Sequence, residues 1–236
     1  MPNKLLIIIP CYNEQASLPV LLAELNGVII PGYDITVIVV NDCSTDDTLA
    51  VAKQHKVKVI DLPINQGIGG AMQSGLLYAS QYSFDLAVQM DGDGQHPPKE
   101  LIKLIACYEA TGANLVIGSR FIEKQGFQSS FTRRLGIGYF HWLNKAFTGM
   151  HIFDSTSGFR LFDKKAIELA AVYYPDEYPE PESLVYFSKS GLIIKETPVI
   201  MANRLSGQSS IRNFASLYYC IKVTIAMLFS AIRKTQ

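Results

Sequence analysis

The chain is short of charge, of paired cysteines and of any acid near its end, and each shortage excludes something. Charged residues make up 18% of the 236, with 21 Lys+Arg against 21 Asp+Glu, so no net basic field exists to steer nucleic acid. The four cysteines, Cys11, Cys43, Cys107 and Cys220, stand far apart in no zinc-binding or disulfide-framework spacing, which fits a reducing cytoplasm. A signal-peptide core is missing as well, because the first apolar run, residues 5–9, is too short and no small-residue cleavage site follows it. After Glu196 there is no aspartate or glutamate, yet Arg204, Arg212, Lys222, Arg233 and Lys234 remain, an asymmetry suited to an anionic membrane surface.

What the chain does have is apolar material: hydrophobic residues at 48% supply a large core, and 236 residues are read as one main domain. Runs rich in valine and isoleucine at 5–9, 35–40, 57–61, 86–90 and 115–118 are too short for helices and read as buried parallel strands. Helical patterns lie between them at 18–26, 46–54, 69–80 and 98–108, the second with a capping signal in Ser44 and Asp47. Such alternation implies right-handed crossovers and a ligand site at the carboxyl ends of the strands.

The second half is less regular. Helices are expected at 134–148, at 164–171 and after Pro181, with a strand at 158–162, all as an extension of one domain covering residues 1–212. Residues 213–236 are read as a C-terminal amphipathic, membrane-associated helix. Its apolar stretch 214–232 approaches the length of a membrane span, but Lys222, Ser216, Thr224 and Ser230 dilute it, which favours a helix lying in the interface. A core helix covering the sheet is the alternative.

Polar groups gather where the strands end. The fourth strand empties into Asp91-Gly92-Asp93-Gly94-Gln95; two acids so placed repel unless a cation compensates, and oxygen ligands suit Mg²⁺ or Mn²⁺. The intervening Gly92 is expected to let the backbone approach a ligand. An EF-hand is excluded, since its sixth loop position would be His96 and its twelfth Ile102. The first strand runs into Pro10-Cys11-Tyr12-Asn13-Glu14 and the second into Asn41-Asp42-Cys43-Ser44, where Asp42 either accepts from a ribose or base or forms a turn. After the third come Asn65, Gly67 and Gly69, but Met72 occupies the third glycine position of a dinucleotide fingerprint, which removes the hydride-transfer reading.

Together with Gly118-Ser119-Arg120, Thr156-Ser157-Gly158-Phe159-Arg160, and Arg204 with Gly207 and Ser209, these motifs resemble the family 2 glycosyltransferases, in order, from residue 4 to about 212. Within that family the chain is similar to the polyprenyl-phosphate sugar transferases of the dolichol-phosphate mannosyltransferase type, in a bacterial surface-polysaccharide subgroup. The resemblance implies an α/β fold of the GT-A type, a three-layer αβα sandwich with a mostly parallel sheet. It implies that Pro10, Tyr12, Glu14, Asp42, Asn65, Gly67, Gly69, Asp91 and Arg133 bind substrate, and that Asp91, Asp93 and Gln95 hold Mg²⁺ or Mn²⁺ against the diphosphate of a nucleotide sugar. Asp93, Glu182, Arg120 and Arg204 would be catalytic. The implied reaction is inverting transfer of a hexose or N-acetylhexosamine to a polyprenyl (undecaprenyl-type) phosphate, at the inner face of the cell membrane and beside a small membrane protein.

The dolichol enzymes often carry serine where this chain has Ile137 and lysine where it has Ser210. Three alternatives stay open: extension of a lipid-linked glycan at a hydroxyl, with Glu182 as base; a phosphatase using aspartate as nucleophile; and a non-catalytic nucleotide-binding subunit of a membrane complex.

Overall fold

The computed structural model describes residues 2–123, 131–176, 179–203 and 214–232, with side chains from residue 138 onward in the helix that begins at 131 and from residue 221 onward in the last one. The expected alternation is present. Strands β1 (Asn3–Cys11), β2 (Tyr33–Asn41), β3 (Lys58–Asp61), β4 (Leu86–Gln89) and β5 (Leu115–Ser119) alternate with helices α1 (Leu18–Leu25), α2 (Thr48–Gln54), α3 (Gly67–Gln81) and α4 (Leu101–Thr111). Then follow α5 (Phe131–Thr148), β6 (Arg160–Asp163), α6 (Lys164–Val172), α7 (Pro179–Lys189), β7 (Ile194–Pro198) and α8 (Phe214–Ile232).

Seven strands form one sheet in the order β3-β2-β1-β4-β6-β5-β7. All pairings are parallel except those of β6, which is antiparallel to both β4 and β5. Reversal brings the residues preceding β6 to the edge where the other strands end. The alternation of β1 divides the core: Leu5, Ile7 and Ile9 pack with Leu18, Leu22, Leu101 and Leu104 on one face, while Leu6 and Ile8 pack with Met72, Leu76, Phe162 and Phe187 on the other. Helices therefore cover both faces, giving three αβα layers.

Two local expectations are corrected. Ser44 does not cap α2; its hydroxyl accepts from the Asn13 amide at 3.1 Å, and the helix begins at Thr48, whose amide donates to Asp46 Oδ1 at 2.9 Å. The strand expected at 158–162 begins at Arg160, and β7 was not anticipated. The last helix is also less separate than its sequence suggests. Val223 and Met227 of α8 are buried against Phe140 and Leu143 of α5 and Val185 of α7. Lys189 of α7 donates to the α8 carbonyls of Ala231 and Ser230, at 2.6 and 3.5 Å, where a cation complements the helix dipole.

Candidate active site

At the carboxyl edge, the loops after β1 and β2 are stitched together. Asn13 adopts a positive φ of 58° and accepts from the Thr45 amide at 2.8 Å, Glu14 N donates to Thr48 Oγ1 at 2.8 Å, and Asp47 N donates to Gln15 Oε1 at 2.8 Å. Tyr12 is left half-exposed on this rim, whereas Pro10 is buried within β1 opposite Val40 and shapes the strand end without offering a surface. Glu14 is partly buried and accepts from Ser17 Oγ at 2.6 Å.

Asp42, Asn65 and Gly67 come together, but around each other. The Asp42 carboxylate accepts from the amides of Gln66 and Gly67 at 2.7 and 2.9 Å, and Asn65 Nδ2 donates to the Asp42 carbonyl at 3.2 Å. Asp42 thus places its charge at the start of α3 rather than in a local turn, and it is Asn41 Oδ1 that accepts from the Ser44 amide, at 3.4 Å. Gly69 serves packing: a Cβ there would lie 2.0 Å from the carbonyl oxygen of Pro175 and 2.2 Å from that of Asp176, to which the Gly69 amide donates at 2.9 Å. Gly92 likewise approaches protein, since a Cβ there would meet Cys11 Sγ at 2.7 Å. At both glycines it is protein that occupies the space a side chain would need.

The acid pair lies where β4 ends. Asp93 is buried and accepts from the Gln95 amide at 2.9 Å; the Asp91 side chain is about one-third exposed. Burial raises the Cys11 thiol pKa well above its ordinary value, and Glu14, Asp91, Asp46 and Asp93 add to that by their charge, so four carboxylates share this corner. His96, which the sequence reading used only to exclude an EF-hand, belongs here. Its Nδ1 accepts from the Asp91 amide at 3.0 Å, its Nε2 lies 3.8 Å from Asp91 Oδ2, and its ring stacks on Phe159 at 4.9 Å.

The donor set fits a hard divalent ion: two carboxylates and the Gln95 side-chain oxygen, on alternate residues of one loop. The room around them fits as well, because a Cβ at Gly158 would sit 2.9 Å from both Asp91 oxygens and only hydrogen is there instead. Among the described residues no three His, Cys, Asp or Glu side chains form a cage, so further ligands to such an ion would come from Gln95, water or diphosphate.

Arg120 ends β5 on the same edge. Its Nε and Nη2 make a bidentate pair with Asp154, both at 2.7 Å, and its amide donates to Asp154 Oδ2 at 3.1 Å. Burial pulls its pKa down, but the Asp154 hydrogen bonds and charge, with Asp91 contributing, more than reverse this. Glu182, the expected base, accepts from the Tyr173 hydroxyl at 3.0 Å. The neighbouring Glu180 also feels the acid loop: burial raises its pKa, Arg160 opposes the rise and Asp91 adds to it. Arg160 is fully buried and donates to the carbonyls of Ser157, Ser155 and Glu180 at 2.8, 3.0 and 2.8 Å, which draws the loop before β6 and the start of α7 together. Glu-Pro-Glu made both acids visible in the sequence, and in the fold both are half-buried. Arg204, with Gly207, Ser209 and Ser210, and the side chains of Arg133 and Ile137 lie outside the described residues.

Comparison with known proteins gives this edge a family. The chain is 30% identical over 220 residues to a UDP-N-acetylglucosamine–dolichyl-phosphate N-acetylglucosaminyltransferase of Methanococcus voltae, covering 84% of this chain and 86% of that one. It is 31% identical over 215 residues to an undecaprenyl-phosphate mannosyltransferase of Micrococcus luteus, covering 87% and 86%. The fold is shared with glucosyl-3-phosphoglycerate synthase from Mycobacterium tuberculosis, solved in complex with Mn²⁺, UDP-glucose and phosphoglyceric acid, at a TM-score of 0.73 and 18% identity over 99% of this chain and 81% of that one. The architecture is accordingly of the GT-A type. Residues 6–169 match the model of glycosyl transferase family 2, and the chain belongs to that family as a glycosyltransferase.

Proposed function

We propose that this enzyme transfers a hexose or N-acetylhexosamine, with inversion, from a nucleotide-diphosphate sugar to the phosphate of a polyprenyl lipid of the undecaprenyl type. The observation that carries this reading is the shared edge: the Asp91–Asp93 pair and the Arg120 guanidinium lie just past the ends of β4 and β5, and the charge of Asp91 reaches Arg120. An anionic donor and an anionic acceptor need such an arrangement. The names of both relatives above point to lipid phosphates as the acceptor class.

Asp91, Asp93 and Gln95 would hold Mg²⁺ or Mn²⁺, which supplies Lewis-acid stabilisation of the charge left on the departing nucleoside diphosphate. Tyr12 offers an exposed ring for the base, and the loop joining Asp42 to Gly67 closes the nucleotide side. Arg120 orients the acceptor phosphate, which is already anionic and needs no base. The outward face of α8, with exposed Ile221, Ile225, Leu228, Phe229 and Ile232, would rest on the membrane that carries the lipid. Among the described residues no helix is long and apolar enough to cross a membrane.

A hydroxyl acceptor is the second reading, favoured by one observation: Glu180 on α7 is near enough to feel the charge of Asp91 and has its pKa raised by burial, toward the range of a general base. The deciding experiment incubates the protein and Mn²⁺ with a panel of nucleotide sugars and either undecaprenyl phosphate or a lipid-linked saccharide, with mass detection of product. A sugar-phospholipid product that disappears in Asp93→Asn is expected. Transfer only to the saccharide hydroxyl would overturn the lipid-phosphate reading.

A further inference from the structure

We propose that Glu196 and Asp154 are positioning residues that act in series to aim Arg120 across the cleft, an inference that rests on the reading of Arg120 as the acceptor-phosphate group. Glu196, on β7 in register with Ile117 of β5, directs its carboxylate away from its own strand. Oε2 accepts from the Phe153 amide at 2.7 Å and Oε1 from the Asp154 amide at 2.8 Å. That grip fixes the loop that leads into β6.

Asp154 is fully buried and passes the constraint on. Its Oδ2 accepts from Arg120 N and Nε and its Oδ1 from Nη2, while Thr156 Oγ1 approaches both partners at 3.3 Å. One carboxylate is sufficient to neutralise one guanidinium. The second carboxylate, Glu196, directs both oxygens to backbone amides, which ordinary peptide carbonyls could have satisfied. What it contributes is geometry: two bonds to successive amides fix the direction of the Asp154 side chain, and the fork of Asp154 then fixes the plane of the guanidinium. A phosphate ligand rewards that arrangement because the donor plane is set before binding.

The test measures calorimetric binding of farnesyl phosphate, and of farnesol as the uncharged control, to the full chain in detergent with UDP and Mn²⁺. Glu196→Gln should weaken farnesyl phosphate binding on the order of tenfold, leaving farnesol and UDP–Mn²⁺ binding within about twofold. Glu196→Asp, which keeps the charge but not the reach to both amides, should fall between it and the wild type, and serves if the glutamine variant fails to fold. Arg120→Lys should weaken farnesyl phosphate similarly, and the Arg120→Lys, Glu196→Gln double variant should lose little more, as expected of residues acting through one another. If Arg120→Lys weakens farnesyl phosphate but neither Glu196 variant does, the relay is overturned and the proposed function stands. Equal weakening of UDP–Mn²⁺ in the Glu196 variants would mark a general structural role and also overturn it. If Arg120→Lys changes nothing, the acceptor-phosphate role of Arg120 falls and takes the relay with it.

Discussion

Gly158→Ala adds one methyl group and changes no charge, so it isolates the geometry of the acid pair. The new carbon would sit 2.9 Å from both Asp91 oxygens and from Gln89 Nε2, where ordinary contact begins at 3.4 Å, so the carboxylate must move by about 0.5 Å (3.4 − 2.9). Ligand distances at a metal tolerate roughly ±0.2 Å. The displacement exceeds that, and a loss of about 10–100-fold in metal-dependent affinity is expected, the range seen when a ligand's supporting partner is removed. This corresponds to about 1.4–2.7 kcal/mol. The fold should suffer less than the ~1–3 kcal/mol typical of an overpacked core, because the Asp91 side chain is about one-third exposed and can swing toward solvent. Titration calorimetry of UDP with Mn²⁺, against wild type and Asp93→Ala and alongside thermal melts without metal, measures both quantities. If Gly158→Ala remains folded and binds UDP–Mn²⁺ as tightly as wild type, the diphosphate is not gripped at this acid pair.

Gly69→Ala should lower stability by about 1–3 kcal/mol in urea denaturation, since its Cβ would collide with the Pro175 and Asp176 carbonyls, and an unchanged midpoint would return Gly69 to a ligand-binding role. Polar replacement of the outward α8 residues Ile225 and Phe229 should abolish sedimentation with anionic vesicles while sparing UDP–Mn²⁺ affinity; truncation after residue 213 is a poorer probe, because it also exposes the cluster of Phe140, Leu143 and Val185. Burial raises the Glu196 pKa above its ordinary 4.5 although the Phe153 and Asp154 amides oppose the rise, so the folded state binds that proton more readily than the unfolded one. Its stabilising contribution is present below the unfolded value and lost as pH rises through the folded one. Urea midpoints measured across that window should therefore fall more steeply with pH in wild type than in Glu196→Gln.

The first half of the fold was legible because parallel strands buried on both faces must be continuously apolar, as Leu5 through Ile9 are. β6 and β7 were harder for the converse reason. β6 opens on Arg160, a charge that is tolerable only because three carbonyls and the Ser183 hydroxyl converge on it from residues 155–183, and no periodicity announces such partners. The candidate site divides in the same way. The acids after β4 stand in one short string, and the ring of His96 sits five residues from the amide it accepts from. The partner of Arg120 is 34 residues away, so the ion pair that orients it was invisible until the chain was folded. Gly92 reads in the sequence as a site of close approach and Gly69, by resemblance, as a substrate-binding residue, but composition does not say whether the approaching atom belongs to substrate or to protein. At 180–182 the acids are two residues apart on a helix start, and only the fold brings Glu180 within reach of the Asp91 charge.

The reversed strand also separates responsibilities along the chain. Everything proposed for the donor comes from residues 10–95, on the block β3-β2-β1-β4, and the acceptor-side groups placed here come from 120–196, on the strands beyond. Within the sheet the two blocks meet at a single antiparallel seam of four residue pairs, from Leu86 opposite Asp163 to Gln89 opposite Arg160, and outside it the Gly69–Asp176 hydrogen bond and the His96–Phe159 stack, which a graft must also keep, join them. Such a seam is a natural crossover point for recombination: a chimera that grafts the later block of a relative, and preserves the pairing of glutamine with arginine, would exchange one specificity while inheriting the other.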